Sequence, residues 1–164
     1  MIKVVSRLAS LMIVAGALVF FSNCGGDDPK PSREEQQLNK LKKEWSITGA
    51  SLEGDATRIN DFTNFKLNLS TITFNKNSPQ GPYNYSVSGS RPVIGPWPAS
   101  GQFDLIPGAN GDTGTLVRKN DNIPMIYTIS STGQLTLEFN CSSCSYPPTG
   151  RTKEVNGQWV FTFN

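Results

Sequence analysis

The sequence predicts an all-β protein, an antiparallel up-and-down barrel of about eight strands behind a short N-terminal helix. Three observations carry that prediction. From Trp45 onward apolar residues recur at every second position, the period of a strand with one wet and one dry face. Glycine (15) and proline (11) are frequent while charged residues make up 17%, a composition suited to short strands joined by turns. The last segment, with Trp159, Phe161 and Phe163, is strongly alternating and aromatic, suited to pair back onto a first strand that opens with Trp45. Strands at this spacing can also split into a sandwich, but a helix leading straight into the first strand and an aromatic last strand favour closure.

The chain begins with a basic head, Lys3 and Arg7, followed by an apolar run from Leu8 to Phe21 and then Ser22-Asn23-Cys24-Gly25. At about 1.5 Å per residue the run covers roughly 21 Å, short of the ~30 Å hydrocarbon core that a spanning helix must cross. Ala15-Gly16-Ala17 lies inside the run, so no small-x-small cleavage site follows it. The stretch resembles a bacterial lipoprotein signal, in which a peptidase cuts before a lipidated cysteine. That resemblance implies a signal peptide over 1–23, acylation of Cys24 and a membrane-held product, since two or three acyl chains anchor durably where one does not. A retained signal anchor and ordinary secretion are the alternatives. Gly25, in place of an aspartate that would signal inner-membrane retention, points to the outer membrane. Asp27-Asp28 looks like the acidic tract that leads some such proteins to the cell surface, or is simply a polar spacer.

Residues 24–32 read as a tether, and 33–164 as one domain with length enough for a proper core. Lys3 and Arg7 leave with the signal, which brings the 15 basic residues to 13 against 13 acidic ones. No excess charge is left to hold nucleic acid, and no polybasic patch to hold a membrane surface.

Ser32-Arg33-Glu34-Glu35 is a capping box, and Leu38, Leu41 and Trp45 recur at helical steps, so a helix is expected from about Arg33 to Lys43. Alternation then runs through Trp45 and Ile47; Phe65, Leu67 and Leu69; Tyr83, Tyr85 and Val87; Phe103 and Leu105; Met125, Tyr127 and Ile129; Leu135, Leu137 and Phe139; and Trp159 to Phe163. Thr115 to Arg118 is a less decisive strand. Beyond Ser70 the apolar phase slips onto Ile72 and Phe74, which predicts a bulge near Thr71. Turn residues separate the strands, as at Asn75 to Pro82, Asn120-Asp121-Asn122 and Ser131-Thr132-Gly133.

Leu41 to Thr48, with Lys43 where a glycine is usual, is similar to the opening of lipocalin-like domains. Phe62-Thr63-Asn64-Phe65-Lys66-Leu67 and Trp97-Pro98-Ala99-Ser100-Gly101-Gln102-Phe103 resemble the second-strand and middle passages of the lipocalin-like domain of bacterial surface lipoproteins. Leu135 to Phe139 and Val155 to Phe161 resemble its closing hairpin. The resemblance implies a ligand-capable barrel on a lipid anchor.

The chain has no histidine, which removes the commonest general base and most transition-metal ligands. Asp104 and Glu138 fall on outer strand faces, and no acidic pair sits in a catalytic motif. No enzyme activity, cofactor or metal site is therefore expected. Asn110 to Gly114 lacks the terminal glutamate of a calcium loop and reads as a hairpin turn. With Cys24 assigned to lipid, Cys141 and Cys144 are expected to form a disulfide in an oxidising compartment; a thioredoxin-like redox pair is disfavoured by Pro147-Pro148, which a following helix would not tolerate.

The loop from Gly89 to Ser100 is stiffened by Pro92, Pro96 and Pro98 while it carries Trp97. Trp97, with Tyr83, Tyr85 and Phe103, is the candidate contact set for a small hydrophobic or glycan ligand. The functional expectation is a ligand-binding barrel; the alternative is that these rings fill the barrel, leaving it a structural or protein-interaction module of the envelope.

Overall fold

In the computed structural model the described residues are 30–92, 94–142 and 155–164, and Ser32–Asn164 form one compact unit. Helix α1 (Arg33–Leu41) leads into eight strands: β1 (Glu44–Leu52), β2 (Lys66–Asn68), β3 (Tyr83–Ser88), β4 (Ser100–Pro107), β5 (Thr113–Arg118), β6 (Pro124–Ile129), β7 (Leu135–Cys141) and β8 (Gly157–Phe163). Each pairs antiparallel with its neighbour in sequence, and β8 returns to β1, with Ile47 opposite Phe163 and Leu52 opposite Trp159. The barrel is closed and up-and-down, as the alternation predicts.

Helix α1 starts where Ser32 accepts a hydrogen bond from the Glu35 amide at 3.2 Å. It stops at Leu41, before Lys43, where the Lys42 amide closes on the Leu38 carbonyl. Its apolar face packs inward through Leu38 and Leu41 together with Gln37, all buried. The helix is held to the β4–β5 turn: Gln37 Nε2 donates to the Gly108 carbonyl at 2.9 Å, and Lys40 pairs with Asp112 at 2.5 Å. The Trp45 indole donates to the Leu41 carbonyl at 2.8 Å and carries the Lys43 ammonium 3.8 Å above its ring. Helix end and first strand are thus one packed unit.

The bulge lies elsewhere than the sequence suggests. Register shifts in β1 between Ile47 and Gly49, so that the buried side passes from Trp45 and Ile47 to Ala50. At Gly49 a Cβ would lie 2.4 Å from Thr162 Oγ1, so the absence of a side chain permits the strands to close there. Near Thr71 there is no strand to bulge. The Asn68 carboxamide accepts from the Ser70 amide at 2.9 Å and the Ser70 hydroxyl at 2.7 Å, a local turn that ends β2 after three residues. Ile72 is buried and Phe74 partly buried from irregular chain.

The interior is built of rings. Phe62, Phe65, Phe139, Trp159, Phe161 and Phe163 interlock with centroid separations of 5.2 to 6.5 Å, Phe139 and Phe161 stacked at 7° and Phe62 edge-on to Phe161 at 89°. Room for the tyrosines comes from glycines directly across the ladder. Gly101 faces Tyr85 and Gly114 faces Tyr127, and in each case a Cβ would lie under 3 Å from the phenol.

Candidate functional site

Both ends of the barrel are occupied by the protein's own side chains. At the end carrying α1, the Tyr127 hydroxyl donates to Gln37 Oε1. Burial, reinforced by the negative charge of Asp112, pushes that hydroxyl well above the usual tyrosine range. At the opposite end the loop between β3 and β4 folds inward, and Gly95 to Pro98 are all buried although none belongs to a strand.

Trp97, 1% exposed, occupies the middle of that end. Its ring lies 6.0 Å from Phe65, 6.3 Å from Tyr85, 5.8 Å from Phe139 and 5.5 Å from Phe161. Above it sits Arg118, the last residue of β5, fully buried and pointing inward two places beyond Leu116. Arg118 Nε and Nη2 donate to the two Asp121 oxygens at 3.0 and 2.6 Å. Its Nη1 donates to the Pro96 carbonyl at 2.7 Å. The guanidinium lies 5.8 Å from the Trp97 ring centre and 5.6 Å from that of Phe139. Asp121 neutralises the charge that the rings alone could not.

The four residues nominated from sequence are brought together. Trp97 touches Tyr85, Tyr85 lies 6.4 Å from Phe103, and Phe103 lies 5.9 Å from its ladder partner Tyr83. They form a file of rings along the inside of β3 and β4, each at most 4% exposed. Tyr83 ends the file by donating to the Pro79 carbonyl at 2.8 Å, and burial raises its hydroxyl above the ordinary value. The sequence reading missed Arg118 and Asp121. The signal was available: Arg118 continues the two-residue period of Leu116, and Asp121 stands in a turn three residues on.

One polar atom in this packing stands apart. Trp45 Nε1 donates to the Leu41 carbonyl and Trp159 Nε1 to the Val155 carbonyl, both at 2.8 Å. The buried Nε1 of Trp97 has no hydrogen-bond partner among the described residues. Leaving such a donor unpaired costs on the order of 1–3 kcal/mol.

Outside, Ile106 (49% exposed) and Ile126 (56%) lie in one row across β4, β5 and β6, each opposite Thr115 in register. Glu138 follows Ile126 in the same row. A surface groove of about 340 Å³ runs over the β1–β8 seam, lined by Thr48, Ser51, Ala56, Ile59, Val160 and Thr162. It lies on the other side of the wall from the ring file. Asp104 pairs with Lys119 at 2.7 Å and Glu138 is exposed, as expected of outer-face carboxylates.

Cys24, the signal over 1–23 and most of the 24–32 tether lie outside the described residues, as does Cys144. Cys141 is buried at the end of β7. Among the described residues no helix is long and apolar enough to cross a membrane, and no group of three or more His, Cys, Asp or Glu could hold a metal ion. No protein-family model, no curated protein and no solved structure matches this chain.

Proposed function

We propose that this chain is a lipid-anchored envelope protein whose ring-filled barrel serves as a rigid module for contact with another envelope protein. The observation that carries the reading is the packing of Trp97, Tyr85, Phe103 and Tyr83: the residues best suited to hold a ligand are in contact with one another in the core. A module of this kind acts through its outer wall. The row Ile106, Thr115 and Ile126, with exposed apolar side chains on a continuous sheet face, is the contact surface proposed for it. The Leu8 to Cys24 leader supports attachment to the outer membrane through an acylated Cys24, and Cys141 with Cys144 is proposed as a local disulfide clip.

A carrier that retains a small hydrophobic or glycan ligand is the second reading, favoured by the lipocalin-like resemblance and the clustering of the four rings. Native mass spectrometry of protein extracted from its own membrane separates the two. The module predicts a chain that begins at Cys24, carries fatty acyl groups and has no further mass. A stoichiometric copurifying small molecule supports the carrier instead. Site-specific photo-crosslinking at positions 106 and 126 in intact cells is expected to give a discrete protein adduct. Adduct formation only at control positions on β1 would rule that face out.

A further inference from the structure

We infer that the partner of this outer wall is a protein that brings a basic side chain to Glu138 and seats an aliphatic one beside it, in the groove over the β1–β8 seam. This rests on the contact surface proposed above and deepens it by giving the partner a chemistry. Three acidic residues lie within strands, and two are paired inside the chain: Glu44 with Lys66 at 2.6 Å and Asp104 with Lys119 at 2.7 Å. The third, Glu138 on β7, is exposed and has neither an ion pair nor a side-chain hydrogen bond among the described residues. No cation stands beside it on the sheet either. Its outward neighbours are Ile126 and Thr128 on β6, Thr136 and Asn140 on β7, and Val160 and Thr162 on β8, none of them ionisable.

A lone carboxylate in an uncharged field selects what can cover it. A wholly apolar partner would strip Glu138 of water and return nothing, which is strongly unfavourable. A second copy docked symmetrically about this point would set two Glu138 carboxylates against each other, and a surface of anionic headgroups is repelled. A protein with a lysine or arginine at that point satisfies the charge, and the pairing fixes how it docks. The groove supplies the second contact. Val160 stands directly across the ladder from Glu138 and lines the groove together with Ser51, Ala56, Ile59 and Thr162, an uncharged and largely aliphatic wall around about 340 Å³. Neighbouring strands are about 4.8 Å apart, so a cation over Glu138 and a side chain in the groove are separated by roughly 5–10 Å. Two residues on one face of a single segment span that distance, as i and i+4 of a helix do. Ile126 and Val160 flank Glu138 and shield the pair from water once the partner is seated, which strengthens it.

The test places a photo-crosslinking residue at position 126, opposite Glu138 in register, in the full-length protein in intact cells. Mass spectrometry of the digested adduct identifies the partner and its attachment point. Glu138→Lys is expected to lower the adduct yield at least about tenfold, and Glu138→Gln at least about threefold. Changing a basic residue of the partner beside the attachment point to glutamate should restore the yield with Glu138→Lys and lower it with the wild type. Ala56→Phe, which fills the groove from the exposed turn Ala56–Asp61 and leaves the charge of Glu138 unaltered, should also lower the yield at least about tenfold. Thermal unfolding checks that each variant is folded, and if the charge reversal is not, Glu138→Gln decides. An adduct that ignores both Glu138 variants overturns the basic partner and leaves the proposed contact face standing. A loss that no charge exchange restores overturns the pairing as well, and a yield unmoved by Ala56→Phe removes the groove as the anchor. No adduct from the wild type removes the contact face and this inference together.

Discussion

Arg118 and Asp121 form the most deeply buried ion pair among the described residues. A guanidinium with no exposure is tolerable only because a carboxylate, a carbonyl and two ring faces surround it. Removing one partner of such a buried pair leaves an uncompensated charge, so Asp121→Ala should cost about 3–5 kcal/mol in urea unfolding. Arg118→Met, which removes the charge along with the bonds, should cost less. If the two variants prove equally stable, the ion pair has no structural weight. At the other end Tyr127→Phe leaves the buried Gln37 Oε1 without its donor and should cost about 1–3 kcal/mol at neutral pH. The same residue sets an alkaline limit. Its folded-state pKa lies above the unfolded value of about 10, so its contribution is complete below pH 10 and declines as pH rises beyond that, because the unfolded chain ionises first. Stability measured from pH 8 to 11.5 should therefore fall less steeply for Tyr127→Phe than for the wild type.

Among the elements, the pairing of an inward glycine with a tyrosine across the ladder decides how β3 to β6 can approach. Gly101→Val would place its Cβ 2.8 Å from the Tyr85 hydroxyl oxygen, so an overpacking loss of about 1–3 kcal/mol is expected. Combining it with Tyr85→Leu should recover part of that loss, and thermal unfolding of the single and double variants checks this. Strand positions were largely legible from residue order. The alternating sets beginning at Phe65, Tyr83, Phe103, Met125, Leu135 and Trp159 all face inward or pack against the core. The phase slips were read less well. The slip past Ser70 looked like a bulge, yet Asn68 ends the strand by folding its carboxamide onto Ser70. The bulge in β1 is not legible in residue order, since it lies in the pairing with β8, where Gly49 meets Thr162, more than a hundred residues away in sequence.

Taken as a whole, the described residues form a closed wall packed inside with aromatic rings, and the proposed surface role rests on that packing. The proposed membrane attachment belongs to this scale. Cys24→Ala should move the protein from the membrane fraction into the soluble envelope fraction and abolish incorporation of labelled palmitate. Retention of the label in that variant would place the acyl group elsewhere. Intact mass before and after reduction likewise tests the Cys141–Cys144 pair, which should gain two hydrogens.

By itself, residue order determined the class of fold, the capped helix, nearly every strand and the apolar face of each. These properties are written locally, in a two-residue period, a capping hydroxyl and runs of turn residues. What only the tertiary structure decided was where groups that the pattern leaves unplaced, or that defy their usual preference for water, would go: Trp97 into the core and not onto a rim, Arg118 inside on the period of Leu116, the bulge at Gly49. A loop indole has no strand to orient it, and the buried cation is surrounded by Pro96 and Phe139 arriving from other parts of the chain as well as by its neighbour Asp121. Such placements follow from the space and partners left once the barrel has closed, and those exist only in three dimensions.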